Sequence, residues 1–301
     1  MKGGFININK AAGMTSHDVV NRVRRIFGTK KVGHAGTLDP FATGVLPIAV
    51  GCATGFLAYL NDERKSYRAE ILFGLETDTG DVTGNTTKLV DFFDSSWVWR
   101  NKKSFADLEA TLKNFVGEIT QTPPKYSAVK INGRKAYELA RKGMEFELPK
   151  RQVVIYKIEL VAYTENSILI DVECSKGTYI RSLAVDIGHA LGTVATLKSL
   201  KRTHVGEFGI FESITLEDVT DDNIIPIENC LIHLAKIKLP NWRLKAFFNG
   251  LSTRIDDNLD EGTICRVYCN DEFVGVGKII DSELKATKIY NTSANAKVHA
   301  K

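Results

Sequence analysis

Apolar and polar positions alternate in some segments of the chain and follow helical spacing in others, which together predict an α+β fold. Residues 5–8 read as a strand. Ser16 is the predicted cap of a first helix, because the apolar residues after it recur at helical spacing until Gly28 ends the pattern. Further helices are predicted over residues 105–115 (capped by Ser104), 136–142 and 179–191, and strands over residues 67–73, 152–163, 167–174, 263–269 and 273–280.

The pattern of apolar, polar and charged residues changes at two places along the chain. Residues 121–151 are basic, contain Pro123-Pro124 and interrupt the surrounding pattern, which is typical of an inserted arm. From residue 239 short strand-like segments replace longer elements. We therefore predict a large domain over residues 1–238, carrying the arm, and a small β-rich domain over residues 239–290. Residues 291–301 are predicted to be a disordered tail.

Composition narrows the class of protein. The chain has 301 residues, of which 44% are hydrophobic and 25% are charged, as in ordinary globular proteins. Its longest apolar run, residues 45–50, is far below the ~20 residues that span a bilayer. Because no signal-peptide core precedes it, we expect a cytoplasmic protein. The five cysteines are scattered without a CxxC pair, which argues against a zinc ribbon or a disulfide framework. We therefore predict no metal.

Charge is unevenly distributed along the chain. The overall formal charge is +4, yet residues 1–35 carry +6 and residues 121–151 carry +5, whereas residues 240–301 carry only +1. Concentrated Lys and Arg are consistent with contacts to nucleic-acid phosphates. On charge alone, a solvated basic face explains the pattern equally well.

The candidate chemistry centres on a glycine-rich loop. Residues 33–51 read GHAGTLDPFATGVLPIAVG, and the loop runs into an apolar strand. Pro40 restrains the backbone of Asp39 towards extended geometry, and Gly33, Gly36 and Gly44 allow tight turns or the close approach of another molecule. An aspartate that only caps a turn would give a similar local pattern.

The loop closely resembles the signature of the TruB-type pseudouridine synthases, in which the Asp of G-H-x-G-x-L-D-P is catalytic. The resemblance covers nearly the whole chain and rests on several further motifs. It includes NKAAGMTS from Asn9, with Ala11 where the family has proline, KSYRA around Tyr67, TDTGD ending at Asp81, PPKYSAVK from Pro123, CSKGTYIR ending at Arg181, and LKRT from Leu200.

The resemblance implies a role for each matched residue. Asp39, Tyr67 and Arg181 are the expected catalytic residues. The residues expected to bind the substrate RNA are Lys10, His34, Asp81, Lys130, Arg134, Arg141, Leu200 and Arg202.

These residue types suit the isomerisation of uridine to pseudouridine, which moves a base from nitrogen to carbon on one sugar. An ionised carboxylate such as Asp39 could add to the electron-poor sugar, stabilise it, or remove a neighbouring proton, and the sequence does not choose among these roles. Arg181 as an ion-pair partner would lower the pKa of Asp39. Tyr67 could stack on the uracil, and His34 could fill the space of a flipped base.

The resemblance further implies a pseudouridine synthase fold: a mixed, largely antiparallel sheet with an inserted thumb, followed by a small PUA-like β-barrel. The expected activity is isomerisation of uridine 55 in the T-arm loop of tRNA, by a monomer without cofactor or obligate protein partner. Two alternatives are a guide-RNA-directed enzyme acting on ribosomal RNA and a tRNA-folding chaperone whose binding role is separable from catalysis. The short C-terminal portion, without long basic tails, disfavours the former.

Overall fold

A computed structural model describes residues 3–61, 64–90, 102–255 and 259–290. The predicted tail, 291–301, lies outside them. The helices are α1 (Ser16–Ile26), α2 (Lys102–Lys113), α3 (Ala136–Ala140), α4 (Ile180–Ala190) and α5 (Leu244–Phe248). Within the described ranges, no helix is both long and apolar enough to cross a membrane.

The strands form a large N-terminal sheet and a smaller C-terminal one. They are β1 (Gly4–Lys10), β2 (Val32–His34), β3 (Thr43–Val50), β4 (Arg64–Phe73), β5 (Leu75–Thr77), β6 (Thr86–Leu89), β7 (Gly117–Gln121), β8 (Lys130–Ile131), β9 (Arg134–Lys135), β10 (Arg151–Tyr163), β11 (Ser167–Ser175), β12 (Ala195–Val205), β13 (Phe208–Gly209), β14 (Ile225–Pro226), β15 (Ala235–Lys238), β16 (Thr253–Arg254), β17 (Ile264–Cys269), β18 (Glu272–Ile280) and β19 (Glu283–Ile289).

The large sheet has the order β14-β1-β3-β12-β4-β11-β10-β7, with β2 on β3 and β13 on β12. Its strand pairs are antiparallel except for β3 and β12, which run parallel. Their register is short, with Thr43 opposite Lys201 and Gly44 opposite Arg202. We call this junction the parallel seam. The predicted fold class, α+β with a mixed and largely antiparallel sheet, is confirmed.

One face of the large sheet is covered by helices. Alternate residues of β4 and β11 are buried there, together with apolar residues of α1, α2 and α4, in one continuous core. Burial of these side chains supplies the main stabilisation. The opposite face is polar and carries exposed ion pairs, such as Arg68 with Asp171 at 2.7 Å. A cavity of about 780 Å³ lies on that side and includes neither Asp39 nor Arg181 in its lining.

The start of α1 differs from the prediction. Thr15, not Ser16, is the cap: its side chain accepts the Asp18 N–H, and the Asp18 carboxylate accepts from the Thr15 N–H. This reciprocal pair is a capping box. Ser16 lies inside the helix and its hydroxyl contacts the backbone of Leu38 instead. Thr15 and Ser16 are both residue types that cap helices. Only Thr15 has an acidic residue three positions later, Asp18, and that spacing favours Thr15 as the cap.

A similar shift occurs at α2. The helix begins at Lys102, so Ser104 lies in its first turn rather than at its cap. Serine residues favour helix caps because their hydroxyl can hydrogen-bond nearby backbone groups, but the preference is weak enough that a serine before an apolar pattern does not fix the first residue of the helix. The predicted helix before Gly192 is present as α4, and Gly192 adopts the positive φ of +74° expected after a helix end.

The C-terminal sheet has the order β15-β17-β18-β19-β16. It packs against the N-terminal part of the chain in a second apolar cluster, which includes Phe5 and Val45 of the large sheet. Phe56, between β3 and β4, lies 5.9 Å from Phe273 and 6.2 Å from Tyr290 between ring centroids. This sheet takes its first strand from Ala235–Lys238, ahead of residue 239. The predicted division into domains at residues 238 and 239 stays a prediction.

The parallel seam generates a stability prediction. Gly44 has φ +102°, and a Cβ built there would lie 2.2 Å from the carbonyl oxygen of Arg202. Gly28 also has a positive φ, +59°, but its Cβ would meet nothing within 4 Å. We expect Gly28→Ala to lower the free energy of unfolding by about 1–2 kcal/mol through backbone strain alone. Gly44→Ala should cost more, because backbone atoms cannot rotate away.

Urea unfolding of both variants tests this prediction. Equal losses for Gly28→Ala and Gly44→Ala would show that β3 and β12 can separate at the seam without cost. Gly28→Ala serves as the matched control, since it introduces the same methyl group at a positive φ in open space.

Candidate active site

The Asp39 loop connects β2 to β3 and contains neither helix nor strand at Asp39. Gly36 takes a φ of +80° at its turn. The Ser16 hydroxyl contacts both backbone groups of Leu38, at 2.9 and 3.2 Å, and the Gly13 N–H donates to the Pro40 carbonyl at 2.9 Å. The loop is therefore fixed on both sides of Asp39 by the segment around the start of α1.

Arg181, in the first turn of α4, forms a fork on the Asp39 carboxylate. Its Nε lies 2.9 Å from Oδ2, and its Nη2 donates to Oδ1 at 3.0 Å. The remaining N–H groups also have acceptors. Nη2 donates to the Tyr126 carbonyl and Nη1 to the Thr79 carbonyl, both at 3.0 Å, and Nη1 lies 3.6 Å from Oδ2 of Asp81. Such planar, two-point pairing fixes orientation as well as charge.

Burial of the pair is unequal. The Arg181 side chain is 5% exposed, whereas that of Asp39 is 32% exposed, so the carboxylate is the part of the pair that a substrate can reach. Burial raises the pKa of Asp39 above its usual range, while the Arg181 guanidinium opposes that shift and Asp81 adds to it. The sequence predicted the lowering effect of Arg181 correctly, but desolvation outweighs it.

Asp81 lies at the end of a tight turn that supports the fork. Its backbone carbonyl accepts the Thr77 hydroxyl at 2.7 Å, and its side chain is almost fully buried. Leu197 of β12 donates its N–H to the Gly80 carbonyl at 3.0 Å. The turn is thus bound to the same strand that forms the parallel seam.

Tyr67 of β4 faces the helix-covered side of the sheet and is 8% exposed. Burial raises the pKa of its hydroxyl, the nearby Arg202 guanidinium lowers it, and the Asp39 carboxylate raises it further. Both charged groups are therefore near enough to act on the Tyr67 hydroxyl, and Arg202 lies directly opposite Tyr67 in the β4–β12 pairing. The structure therefore brings together all three residues that the sequence predicted to be catalytic.

Lys10 and Arg202 are inside the protein. The Lys10 ammonium donates to the carbonyls of Ala11, Met14 and Pro40, at 2.8, 2.8 and 3.2 Å. Burial lowers the pKa of Lys10 to about 8, with Asp39 raising it and Arg202 lowering it. The Arg202 guanidinium also contacts backbone carbonyls. That these two residues contact RNA stays a prediction, and neither side chain reaches the surface in this structure.

His34 and Leu200 flank the site from opposite sides of the seam. His34 ends β2 and is half-buried. Burial lowers the pKa of its imidazole, and Arg202 lowers it further. Leu200 of β12 belongs to the main core, and its carbonyl accepts the Thr43 hydroxyl at 3.5 Å.

The predicted thumb residues lie apart from this cluster. Lys130, Arg134 and Arg141 are exposed, and within the described ranges none has a carboxylate within salt-bridge distance. Arg141 lies over the Tyr137 ring at 5.4 Å. A cavity of about 650 Å³ opens between Asp78 and the arm, with a lining that includes Lys125, Tyr126, Gly143 and Met144.

The arm is joined to the site at its base. The Gln121 side chain donates to the Tyr179 carbonyl at 3.1 Å and accepts the Tyr179 N–H at 3.0 Å. Ser182 donates to the Thr122 carbonyl at 2.7 Å. Sequence reasoning missed these contacts and the Tyr126 and Thr79 carbonyls that accept from Arg181, since a backbone acceptor leaves no side-chain signature.

The described residues do not include a set of side chains placed to bind a metal ion. Within the described part of the chain, no group of three or more His, Cys, Asp and Glu residues is placed to hold an ion. Cys174, Cys230, Cys265 and Cys269 are buried as free thiols, and Cys52 is partly buried. Burial raises the pKa of Cys174 to about 11 and that of Cys230 to about 12, so both thiols stay protonated at neutral pH.

The arrangement is a reachable carboxylate, oriented by a buried guanidinium, beside a buried phenol. Such a site can attack or deprotonate an electron-poor centre without a redox group.

Similarity to known protein families identifies the class of protein to which the chain belongs. Residues 24–180 match the model of the TruB family pseudouridylate synthase N-terminal domain, and residues 181–231 match that of the tRNA pseudouridylate synthase B C-terminal domain. The chain belongs to the TruB family of pseudouridylate synthases.

Relatives in other organisms share most of the chain. A protein of Clostridium kluyveri named tRNA pseudouridine synthase B is 42% identical over 295 residues, covering 95% of this chain and 99% of that protein. Its namesake in Bacillus pumilus is 44% identical over 263 residues, covering 83% of each chain.

Solved structures agree on the fold. One is titled as an H/ACA RNP bound to a substrate RNA containing 2′-deoxyuridine. Its matching chain has a TM-score of 0.70 and 26% identity, covering 96% of this chain and 85% of its own length. Another, a Cbf5-Nop10-Gar1 complex, gives a TM-score of 0.69 and 28% identity, covering 96% and 84%.

The buried fork predicts a large stability effect for Arg181. Arg181→Met leaves Asp39 and Asp81 without their shared cation, and breaking a buried pair in this way costs about 3–5 kcal/mol. The deficit should shrink as pH falls, because Asp39, with its raised pKa, then takes up a proton and the stranded charge disappears.

Arg68→Met is the matched control. Arg68 forms the same two-point contact with Asp171, at 2.8 and 2.7 Å, but both side chains are more than a third exposed, so we expect a loss of at most about 1 kcal/mol. Urea unfolding at several pH values measures both variants. A loss for Arg181→Met no larger than the control, or one independent of pH, contradicts the assignment.

Proposed function

We propose that this protein isomerises uridine to pseudouridine at position 55, in the T-arm loop of tRNA, with Asp39 as the catalytic carboxylate. The observation that carries the proposal is the Arg181 fork, which orients Asp39 at 2.9 and 3.0 Å while leaving it the exposed member of the pair. The family and the names of its similar relatives support the substrate class.

The reaction requires Asp39 in its ionised form, either to add to the sugar as the base departs or to remove a proton beside the reacting carbon. Arg181 favours that form electrostatically and holds the carboxylate in one orientation. The raised pKa of Asp39 makes the carboxylate a better base and nucleophile than a fully solvated one.

A uridine inside a folded loop must leave its stack to reach Asp39. We propose that Tyr67 contacts the flipped uracil, that His34 contacts the RNA beside the pocket, and that Leu200 forms an apolar wall. Asp81 acts through Arg181, which lies 3.6 Å from it. The cavity of about 650 Å³ between Asp78 and the arm is the proposed place for the RNA beside the thumb.

The exposed arm, residues 121–151, is the proposed thumb that grips the T-arm by its phosphates. We further propose that residues 239–290 form a PUA-like RNA-binding domain, and that the protein acts as a cytoplasmic monomer without an obligate protein partner. Light scattering of the active protein, alone and with tRNA, tests the monomer.

The decisive experiment incubates the purified protein with unmodified tRNA and maps pseudouridine at single-nucleotide resolution. Modification confined to position 55 supports the proposal. A requirement for an added guide RNA would favour the guide-directed alternative. Tight tRNA binding and accelerated tRNA folding without any pseudouridine would favour the chaperone.

Asp39→Asn should abolish turnover and leave tRNA affinity within about twofold, because the amide keeps the shape but cannot act as nucleophile or base. Single-turnover assays and filter binding measure the two effects. Asp171→Asn, which removes an exposed carboxylate on the opposite face, is the control and should keep full activity. Persistent pseudouridine formation by Asp39→Asn, with deamidation excluded by mass spectrometry, would falsify the role of Asp39.

Replacing Lys130, Arg134 and Arg141 together by glutamine should weaken tRNA binding and flatten its salt dependence. Each lost phosphate contact reduces the slope of log affinity against log salt by about 0.7–0.9. The control changes Lys157, Lys198 and Lys201 to glutamine, which removes the same charge from other exposed positions. Equal slopes for the two triple variants would place the RNA contact elsewhere.

A further inference from the structure

Arg202 is the largest fully buried side chain among the described residues, at 1% exposed. It lies on β12 directly opposite Tyr67 of β4 and opposite Gly44 of β3. The residue therefore sits where the two halves of the large sheet meet. An unpaired guanidinium at such a place would be costly, so its contacts must account for its presence.

The guanidinium contacts both ends of the Asp39 loop. Nε donates to the Val45 carbonyl at 2.8 Å, after the loop, and Nη2 donates to the Gly36 carbonyl at 3.0 Å, before Asp39. Nη1 donates to the Thr37 carbonyl at 3.4 Å. One rigid, planar group thus fixes the distance between the two stems of the loop.

Arg202 lies directly opposite Tyr67 across the β4–β12 pairing. Burial raises the pKa of the Tyr67 hydroxyl, and the Arg202 guanidinium opposes that shift through its charge and a hydrogen bond. Tyr67 belongs to β4, which in the sheet pairs with β12 and not with β3, the strand that follows the loop. Arg202 is therefore the side chain through which the phenol and the catalytic loop share a common support. The backbone repeats this connection, since the missing Cβ of Gly44 allows the Arg202 carbonyl to lie against the loop's C-terminal end.

We infer that Arg202 is a positioning residue for the isomerisation, which holds the Tyr67 hydroxyl and the Asp39 loop in one fixed geometry across the parallel seam. The inference rests on the proposed function. The contacts that carry it are directed into the protein, whereas an RNA contact of Arg202 stays a prediction.

The chemistry requires an arginine. Three carbonyls accept from the three nitrogens of the group, and a guanidinium supplies its donors in fixed directions from separate nitrogens. A lysine keeps the charge, but its three donors radiate from one atom and cannot stand in for donors on three separate nitrogens. Misplacement of reacting groups by about 1 Å can cost 10²-fold in rate, so a loosened loop should reduce chemistry more than binding.

The test measures single-turnover rates at saturating tRNA, tRNA affinity and thermal unfolding for Arg202→Lys. We expect the rate to fall about 10- to 100-fold, with affinity within twofold and the protein folded at the assay temperature. Lys201→Met, which removes the neighbouring exposed charge, is the matched control and should retain the wild-type rate.

A double-mutant cycle then asks whether Arg202 acts through Tyr67. In a Tyr67→Phe background the phenolic partner is absent, so Arg202→Lys should slow the reaction less than it does in the wild type. Equal slowing in both backgrounds overturns the link to Tyr67. If Arg202→Lys does not fold, Arg202→Gln, which retains a planar donor, carries the same measurements.

The remaining outcomes are also decisive. A lowered melting temperature with an unchanged saturated rate would make Arg202 a structural residue only, and weakened tRNA binding with an unchanged saturated rate would make it an RNA contact. Either result overturns the inference. Failure of the wild-type protein to form pseudouridine would instead overturn the proposed function, so the two failures are distinguishable.

Discussion

The parallel seam between β3 and β12 is the constraint on which the site depends. Only two residue pairs define its register, yet the Asp39 loop stands on one side of it and Tyr67 on the other. A short parallel junction contributes few ladder hydrogen bonds. The parallel seam is therefore reinforced by side chains. The Arg202 guanidinium donates hydrogen bonds from β12 to carbonyls on both stems of the loop.

Two buried arginines frame the site, and their different partners explain their different effects. Arg202 meets neutral carbonyls and a phenol, so it organises backbone. Arg181 meets the Asp39 and Asp81 carboxylates as well as two carbonyls, so it also sets charge. Burying either guanidinium carries a desolvation penalty. Both are tolerated because nearly every N–H group has an acceptor, which makes each side chain specific to one arrangement.

The sequence predicted what local patterns determine. Helix α1, its end at Gly28 and the strands around Tyr67 and Cys174 follow from spacing and turn chemistry. The Asp39 loop and Arg181 were identified through the resemblance. The inward positions of Lys10 and Arg202 could not be predicted in this way, since a basic residue in a basic segment suggests solvent or phosphate. Strand β12 went unpredicted as well, because its bulges and charges break the alternation that marks a strand.

The unequal exposure of the Asp39–Arg181 pair connects these features to function. Arg181 is enclosed because the Thr79 turn, the Tyr126 carbonyl of the arm and helix α4 surround it. Asp39 faces outward because Ser16 and Lys10 hold its loop from the inner side, through Leu38 and Pro40. The same restraints that bury the cation therefore present the carboxylate, and the Tyr126 carbonyl of the arm is one of them. Arg181 thus joins the arm to the Asp39 carboxylate through its own hydrogen bonds, so a displacement of the arm at Tyr126 would also disturb the orientation of the carboxylate.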